Sequence, residues 1–441
     1  MEAIKIGLLG LGVVGQGVLK ILRENQDVIE GRLGSRITVK RALVREIGKP
    51  RKVSTDDILL TTNVEDILDD AEIPIVVEVM GGVEPAKAYI TAALERKKHV
   101  VTANKELISK HGLPLMKLAQ SFGVTLRFEG SVAGGIPIIK PLQECLAANR
   151  IQALMGIING TTNFILSKMS CEGREFSEVL REAQERGYAE SDPSSDVDGH
   201  DAAYKLAILA SLAFGTQITP DKIYTEGIRK VTPLDIEYAR ELGFAVKLLA
   251  IAKEVDGKIE ARVHPTFIPH SHPLASVNGV FNAIFVKGNA VGDLMFYGRG
   301  AGDLPTGSAV VADVIDIIRA AHITPGAPIP SGAPASAPAG TIPFASWNGE
   351  VSVADINSVE TRYYIHMQVI DRPGVLASIA KAFGDSDVSL ESVIQKGRGE
   401  NPVGLVFVTH RVREENVRKA LKLIEKLPVV EEISNVIRVE E

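Results

Sequence analysis

The chain begins with an apolar run that leads into a glycine-rich turn and then into a helical pattern. The run is Ile4–Leu9, the turn is Gly10-Leu11-Gly12-Val13-Val14-Gly15, and the helical spacing continues to Glu24. Glycines at these three places allow a tight turn, the close approach of a pyrophosphate and tight helix–strand packing, while the helix N-terminus supplies free N–H groups. A glycine-rich turn can also merely connect two elements. In this strand–turn–helix setting, however, the pattern predicts a dinucleotide-binding turn and an α/β fold.

Strands and helices continue to alternate over the first 130 residues. Further strand patterns occur at Ile37–Val44, Ile75–Val79, His99–Thr102 and Thr125–Phe128, and helical patterns fill the gaps. Continuous β-branched runs are typical of strands that are buried on both faces. We therefore predict a Rossmann-type, doubly wound parallel sheet with helices on each side, which spans residues 1–130.

The rest of the chain divides into regions of different character. Residues 131–299 mix long helices with strands, which predicts an inserted α+β domain for substrate binding and dimerisation. A last helix, Ser308–Ala321, would return to the first sheet, so that residues 300–322 complete the nucleotide domain. Residues 323–349 are rich in proline and alanine and predict an extended linker. Residues 350–441 follow the strand–helix–strand–strand–helix–strand order of a ferredoxin-like domain, which we expect to be independent.

Composition and charge exclude several classes of protein. The net charge of −6 gives no general attraction to nucleic acid or to an anionic membrane. No apolar stretch reaches the roughly 18–20 residues that span a bilayer, and the first strand pattern begins at Ile4, which leaves no room for a leader peptide. The two cysteines, Cys145 and Cys171, cannot build a disulfide framework. We therefore expect a cytoplasmic protein with no nucleic-acid or membrane partner.

Two basic residues follow strands of the predicted sheet, where the ligands of such sheets bind. Arg45 comes after the second strand, and a guanidinium group suits the 2′-phosphate of NADP. Its neighbour Glu46 could instead hold a free ribose, so NAD remains an alternative. Lys105 follows the strand at His99–Thr102, beside the expected nicotinamide, although the same residue could be an exposed part of a helix cap.

One acid and one base interrupt an otherwise apolar helical pattern after His200. Asp201 and Lys205 are four residues apart, so they share one face of that helix. Buried charges are costly unless a polar cleft or a ligand meets them. The two residues could form a simple ion pair at the helix start, but their position favours a reaction site in which Lys205 acts as a general acid or base.

Further acidic residues precede this helix. Glu190, Asp196 and Asp198 join Asp201 in a concentration of negative charge that suits an ammonium group. A calcium loop of the EF-hand type is excluded, because Lys205 stands where that loop needs its last glutamate. The cluster therefore predicts a substrate that carries an amino group.

Several motifs resemble those of homoserine dehydrogenases. They are the turn at Gly10–Gly15, Thr-Ala-Asn-Lys-Glu at Thr102–Glu106, the segment Phe128–Ile138, the run Gly187–Lys205 and Gly-Ala-Gly-Asp-Leu-Pro-Thr-Gly at Gly300–Gly307. The resemblance runs from about Lys5 to Ala321. It implies an enzyme that interconverts L-homoserine and L-aspartate 4-semialdehyde with NAD or NADP, in the biosynthesis of threonine and methionine.

The resemblance also implies roles for individual residues. Lys205 would donate the proton, with help from Lys105. The amino acid would be held by Gly187, Glu190, Asp196 and Asp201, and the cofactor by Gly10, Leu11, Gly12, Val13, Val14, Gly15, Arg45, Lys105 and Gly302. A sodium ion would be bound mainly through backbone carbonyl groups, which leave little trace in side-chain patterns, at Glu129, Val132, Gly134 and Ile136.

The C-terminal region resembles an ACT domain, a small amino-acid-sensing fold. The run Asp371-Arg372-Pro373-Gly374-Val375-Leu376 matches the turn between the first strand and helix of that fold. The resemblance implies an effector at the interface of paired domains, here threonine. A homodimer or homotetramer is expected. Asp387 stands where such domains often have asparagine, and the alternative is a domain that only strengthens assembly.

Two other functions remain open from the sequence. A dehydrogenase of another amino acid would share the glycine turn but should lack the set Glu190, Asp201 and Lys205. A non-catalytic sensor of nucleotide and amino acid would need no proton donor, which the presence of both Lys105 and Lys205 disfavours.

Overall fold

The computed structural model describes residues 3–321, 323, 351–396 and 402–440. The chain divides into two compact units. The first contains residues 1–154, 204–221 and 282–350, and the second contains residues 155–203, 222–281 and 351–441. Apart from Ile323, the predicted linker at 323–349 lies outside the described residues.

The elements are numbered along the chain. The strands are β1 (Ala3–Leu9), β2 (Arg36–Leu43), β3 (Leu59–Thr61), β4 (Ile75–Glu78), β5 (His99–Thr102), β6 (Leu126–Arg127), β7 (Ile151–Ile157), β8 (Tyr224–Thr225), β9 (Phe244–Val255), β10 (Lys258–Pro269), β11 (Phe281–Gly288), β12 (Gly292–Arg299), β13 (Glu360–Val369), β14 (Leu390–Lys396), β15 (Val403–Thr409), β16 (Val412–Arg413) and β17 (Val430–Val439). The helices are α1 (Val13–Glu24), α2 (Gln26–Leu33), α3 (Glu65–Leu68), α4 (Ala86–Glu95), α5 (Lys105–Ser121), α6 (Gly160–Glu172), α7 (Phe176–Glu185), α8 (Ser194–Val197), α9 (His200–Phe214), α10 (Pro233–Glu241), α11 (Asp303–Ala320), α12 (Val375–Gly384) and α13 (Glu414–Ile424). Among the described residues, none of the helices combines the length and apolar character that crossing a bilayer requires.

The first unit contains a six-stranded sheet in the order β3-β2-β1-β4-β5-β6. All neighbouring strands are parallel. The chain moves from β1 to one edge, crosses back to β4 and continues to the other edge, which is the doubly wound topology. Every residue of β4 and β5 is buried, as expected for strands covered on both faces. The predicted Rossmann-type sheet is confirmed.

The helix α11 packs against α1 although some 280 residues separate the two in sequence. Val18 and Leu19 on α1, Val310 and Val314 on α11 and Ile6 on β1 belong to one buried core. The helix begins at Asp303 rather than at the predicted Ser308. The glycines and proline before Ser308 favoured a loop, but proline is tolerated in the first turn of a helix because N–H groups there have no intrahelical partner.

In the second unit, six strands pair in the order β9-β10-β17-β13-β15-β14. The strands β9 and β10 form a long antiparallel hairpin. The strands β13, β14, β15 and β17 alternate with α12 and α13 in the predicted ferredoxin-like order, and the side chains between this sheet and its helices form a separate core. The prediction of a ferredoxin-like C-terminal domain is confirmed.

The C-terminal region was expected to form an independent domain. Instead, it pairs with a strand of the preceding part of the chain. The end of β17 pairs in parallel with β10, at Thr266 with Arg438 and at Phe267 with Val439. Near this junction, the guanidinium group of Arg262 is 2% exposed and forms ion pairs with Glu260 and Glu440. The strand β17 therefore pairs with β10, which belongs to the same unit. Strand patterns in the sequence alone do not reveal this pairing.

Sequence analysis did not predict α10. This helix begins with a capping box, in which the Asp235 N–H donates to the Thr232 hydroxyl oxygen at 3.1 Å and the Thr232 N–H donates to the Asp235 carboxylate at 3.0 Å. Pro233 occupies the first helical position. The run Thr-Pro-Leu-Asp therefore contained the sequence signature of a helix start. The strands β11 and β12 were not predicted from the sequence either.

His99, at the start of β5, makes the first unit sensitive to acid. The ring is 5% exposed, its Nδ1 accepts a hydrogen bond from the Thr125 N–H at 3.1 Å, and burial lowers its pKa to about 4. In the unfolded chain the pKa of histidine is about 6.5, so the unfolded state takes up the proton first as the pH falls. This contribution to stability is therefore present above about pH 6.5 and is lost as the pH falls toward 4.

We expect the free energy of unfolding to fall by about 3 kcal/mol across this window. Chemical denaturation at a series of pH values measures the loss. His99→Gln should flatten the pH dependence between 6.5 and 4, whereas the same change at the exposed His410 should not. An equally steep loss in His99→Gln would contradict the assignment to this ring.

Candidate active site

The three glycines of the turn after β1 have different structural roles. Gly10 has a φ of +105°, which L side chains rarely adopt. A Cβ at Gly15 would overlap the Gly10 carbonyl oxygen, so this residue keeps the turn and α1 in close contact. A Cβ at Gly12 would meet no atom within 4 Å. Gly12 also caps α1 without a side chain, which leaves the first N–H groups of the helix free for an anionic ligand.

The residues after β2 form an exposed loop with internal hydrogen bonds. Arg45 and Glu46 are both exposed. The guanidinium group of Arg51 donates to the carbonyl oxygens of Glu46, Ile47 and Lys49 at 2.7–2.9 Å, so it stabilises the loop. Arg45 follows the end of β2, at the position from which the sequence predicted contact with the cofactor.

Glu78 and Asn104 organise the carboxyl ends of β4 and β5. The Glu78 carboxylate is fully buried and accepts hydrogen bonds from the Thr102 hydroxyl at 2.6 Å and the Met80 N–H at 2.7 Å, while burial raises its pKa. The Asn104 side chain caps α5, donates to the Gly82 carbonyl oxygen at 2.6 Å and thereby connects the two loops. Lys105, the first residue of α5, is half-buried at this edge of the sheet.

The helix α9 carries both ionic residues that the sequence singled out. Asp201 is 3% exposed and Lys205 is 9% exposed, and the apolar residues that follow them as far as Leu212 are buried. The expectation of a buried helix with two charges near its start is confirmed. Tyr204 lies beneath the ammonium group of Lys110, whose Nζ is 5.2 Å from the ring centre.

A single asparagine connects two of the predicted substrate ligands within the second unit. The Asn159 amide nitrogen donates to Asp196 Oδ1 at 2.7 Å and to Asp201 Oδ2 at 2.9 Å. Sequence analysis missed Asn159. Its place directly after β7 and before a helix was the available signal, because asparagine is a preferred N-cap residue.

The other predicted substrate residues have different surroundings. Gly187, with a φ of +73°, and Glu190 are exposed, and the Thr161 hydroxyl holds their loop by donating to the Tyr188 carbonyl oxygen at 2.6 Å. Asp198 forms an ion pair with Arg229, which lowers the pKa of its carboxyl group.

The segment Glu129–Ile136 is folded tightly in the first unit. The Glu129 carboxylate accepts backbone N–H groups of Ile138, Ile139 and Lys140 at 2.6–2.8 Å. Ala133 and Gly134 have φ values of +54° and +51°, so the backbone curves sharply. Among the described residues, no cluster of three His, Cys, Asp or Glu side chains could hold a metal ion.

Comparisons with known proteins identify the family. Residues 137–315 match a family model described as homoserine dehydrogenase, and residues 10–129 match one described as the NAD-binding domain of homoserine dehydrogenase. The chain belongs to the homoserine dehydrogenase family. Residues 363–429 match the ACT domain model. The predicted NAD(P)-dependent oxidoreductase of amino-acid biosynthesis is thus confirmed, and neither alternative function is favoured.

Individual relatives match over the full length. The homoserine dehydrogenase of Synechocystis sp. is 48% identical over 440 residues, 99% of each chain, and that of Bacillus subtilis is 41% identical over 443 residues, 100% of this chain and 99% of the other. The crystal structure of a homoserine dehydrogenase from Thiobacillus denitrificans is similar with a TM-score of 0.91 and 45% identity, and it covers 100% of both chains. A hyperthermophilic archaeal homoserine dehydrogenase in complex with NADPH is similar over 72% of this chain and 98% of its own, with a TM-score of 0.62 and 30% identity.

Proposed function

We propose that Lys205 is the proton donor of a reaction that interconverts L-homoserine and L-aspartate 4-semialdehyde. The observation that carries this assignment is the burial of Asp201 and Lys205 on one face of α9. When bound, a nicotinamide would supply the hydride to the carbonyl carbon of the semialdehyde or, in the reverse direction, accept it from the alcohol carbon of homoserine. The ammonium group of Lys205 stabilises the developing alkoxide and delivers its proton to the oxygen.

Asp196 and Asp201 bind the substrate amino group in this proposal, with Glu190 and Gly187 on the adjoining loop. Lys105 assists at the carboxyl end of the sheet, and Gly10 to Gly15 with Gly302 hold the cofactor. A spectrophotometric assay that follows the reduced nicotinamide with L-homoserine, and with L-serine as a control, tests the substrate. Equal rates with both amino acids would contradict the assignment.

Arg45 gives the chain a moderate preference for NADP in this proposal. Its guanidinium group is exposed at the end of β2, while Arg51 is already used within the loop. Charge-assisted hydrogen bonds to a phosphate are strong, so Arg45→Ala should raise the KM for NADP about tenfold and leave the KM for NAD unchanged. The exposed Lys49→Ala should change neither value. Equal KM changes for both cofactors in Arg45→Ala would contradict the role.

The carbonyl oxygens of Glu129, Val132, Gly134 and Ile136 are proposed to hold a sodium ion. The residues present fit such an ion, because a sharply curved segment offers neutral backbone carbonyl oxygens as ligands, while the Glu129 carboxylate accepts three backbone N–H groups and the Glu129 carbonyl oxygen accepts the Val132 N–H at 3.4 Å. Oxygen ligands are those that hard cations prefer. The ion would supply a fixed positive charge that stabilises the sharply curved segment.

The ACT region is proposed to bind threonine and to regulate the enzyme as a homodimer or homotetramer. A series of contacts inside the second unit supports this coupling. Arg438 on β17 donates to Glu226 at 2.9 Å. A Cβ at Gly227 would overlap the Val197 carbonyl oxygen, and the Ile228 N–H donates to that oxygen at 2.8 Å. The segment from Glu226 thus lies against the end of α8, the short helix that contains Asp196.

Glu226→Gln should therefore weaken threonine inhibition by roughly tenfold, because it removes one of the two negative charges that pair with Arg438, the other being that of Glu414. Turnover without threonine should stay within about twofold, since Glu226 has no proposed catalytic role. The exposed Glu431→Gln is the matched control. Inhibition curves for the three proteins measure the effect. Unchanged inhibition in Glu226→Gln would contradict this route, and no inhibition in the unchanged protein would contradict the effector.

A further inference from the structure

The hydrogen bonds of Asn159 leave its amide group with one orientation. The side chain is 5% exposed between β7 and α6. Its Oδ1 accepts from the Thr162 N–H at 2.9 Å and from the Thr162 hydroxyl at 3.0 Å. In the reversed orientation the amide nitrogen would face the Thr162 N–H, and the amide oxygen would face two carboxylates, so both contacts would be repulsive.

Both protons of the Asn159 amide are then directed at acids. One is donated to Asp196 Oδ1 at 2.7 Å and the other to Asp201 Oδ2 at 2.9 Å. Because a single nitrogen atom binds both oxygens, the distance between Asp196 Oδ1 and Asp201 Oδ2 cannot exceed about 6 Å. Two anions held so close repel each other, and each benefits from a cation between them.

The neutrality of the amide is the decisive property. A lysine or arginine at this position would also hold two carboxylates together, but it would cancel the charge that attracts an ammonium group. Asparagine supplies two donors and no charge. Asn159 therefore fixes the geometry of Asp196 and Asp201 without adding a positive charge of its own.

We propose that Asn159 is a positioning residue that holds Asp196 and Asp201 as a two-carboxylate receptor for the amino group of the substrate. This inference rests on the proposed function and deepens it, because it assigns recognition of the ammonium group to a neutral bridging amide. Asn159 contacts neither the proton donor nor the reacting carbon in this role. Its loss should therefore affect substrate binding more than the chemical step.

Asn159→Ser tests the role while it preserves the helix start, since serine is also a good N-cap residue. We expect the KM for L-homoserine to rise about tenfold or more, with kcat within about threefold and an unchanged KM for the cofactor. Asn159→Asp also preserves the cap but adds a third carboxylate without donors to the other two, so the same KM should rise further. Asn149→Ser, which changes an asparagine that accepts the Val291 N–H, is the control.

A second measurement distinguishes positioning from a general structural effect. The competitive inhibition constant of 4-hydroxybutanoate, which lacks the amino group, should stay within about twofold in Asn159→Ser. A general loss of structure would weaken both molecules and lower the melting temperature. An unchanged KM for L-homoserine in both variants, or equal weakening of the two molecules, would overturn the proposal. Failure of the unchanged protein to oxidise L-homoserine would instead overturn the proposed function.

Discussion

Lys205→Ala is expected to reduce kcat with L-homoserine by roughly 100- to 10,000-fold, the usual contribution of a positioned general acid. With L-homoserine as the substrate, the neutral amine of Lys205 accepts the hydroxyl proton, and the ammonium group so formed stabilises the negative charge that develops on the oxygen; in the reverse direction the same group returns the proton, and a methyl group can do neither. Binding of the reduced cofactor, followed by its fluorescence, should be unchanged. The side chain is 9% exposed, so water has limited access to take over the proton transfer.

Two further variants make this result specific. Lys205→Arg keeps the positive charge, but a guanidinium group stays protonated near neutral pH and cannot accept the hydroxyl proton of L-homoserine, so it should not restore kcat. Lys222→Ala removes an exposed lysine and should leave turnover unchanged. Near-normal kcat in Lys205→Ala would remove this residue from the mechanism.

Gly17→Ala is expected to have the largest effect on stability. A Cβ at this position of α1 would overlap the carbonyl oxygen of Asp303 at the start of α11. The obstacle is backbone, so the two helices must separate, and overpacking of this kind costs about 3 kcal/mol or more. Because 1 kcal/mol changes the melting temperature of a domain of this size by about 2–4 °C, we expect a decrease of about 10 °C in thermal unfolding.

Two other glycines of the same region are matched controls. A Cβ at Gly31 on α2 would meet no atom within 4 Å, so Gly31→Ala should stabilise the protein slightly through helix propensity. Gly12→Ala is equally free of clashes and should retain the melting temperature, but it should weaken cofactor binding, because its Cβ would stand where the pyrophosphate approaches. A melting temperature of Gly17→Ala within about 2 °C of the unchanged protein would contradict the packing argument.

The nucleotide-binding half was predictable because its signals are local. The turn from Gly10 to Gly15 joins one strand to the next helix, and the apolar runs of β4 and β5 are buried along their whole length. The start of α11 was predicted five residues late, since its first turn contains Pro305. Local composition identifies a helix more reliably than its boundary.

The sequence singled out individual candidate site residues, but it did not predict their hydrogen-bond partners. Asp201 and Lys205 were recognised because ions on an apolar helix are conspicuous. Asp196 and Asp198 looked equivalent in sequence, yet one accepts a hydrogen bond from Asn159 and the other pairs with Arg229. Asn159 lies 37 residues before Asp196, and no spacing rule connects them.

The sequence by itself determined the class of fold, the place of the glycine turn and the residues that carry charge into an apolar helix, because each depends on neighbours along the chain. Only the tertiary structure decided which acid pairs with Arg229, which amide bridges two carboxylates and which strand β17 pairs with. These depend on donors and acceptors that are distant in sequence. Their pairing is set by the requirement that buried polar groups find partners once the chain is folded.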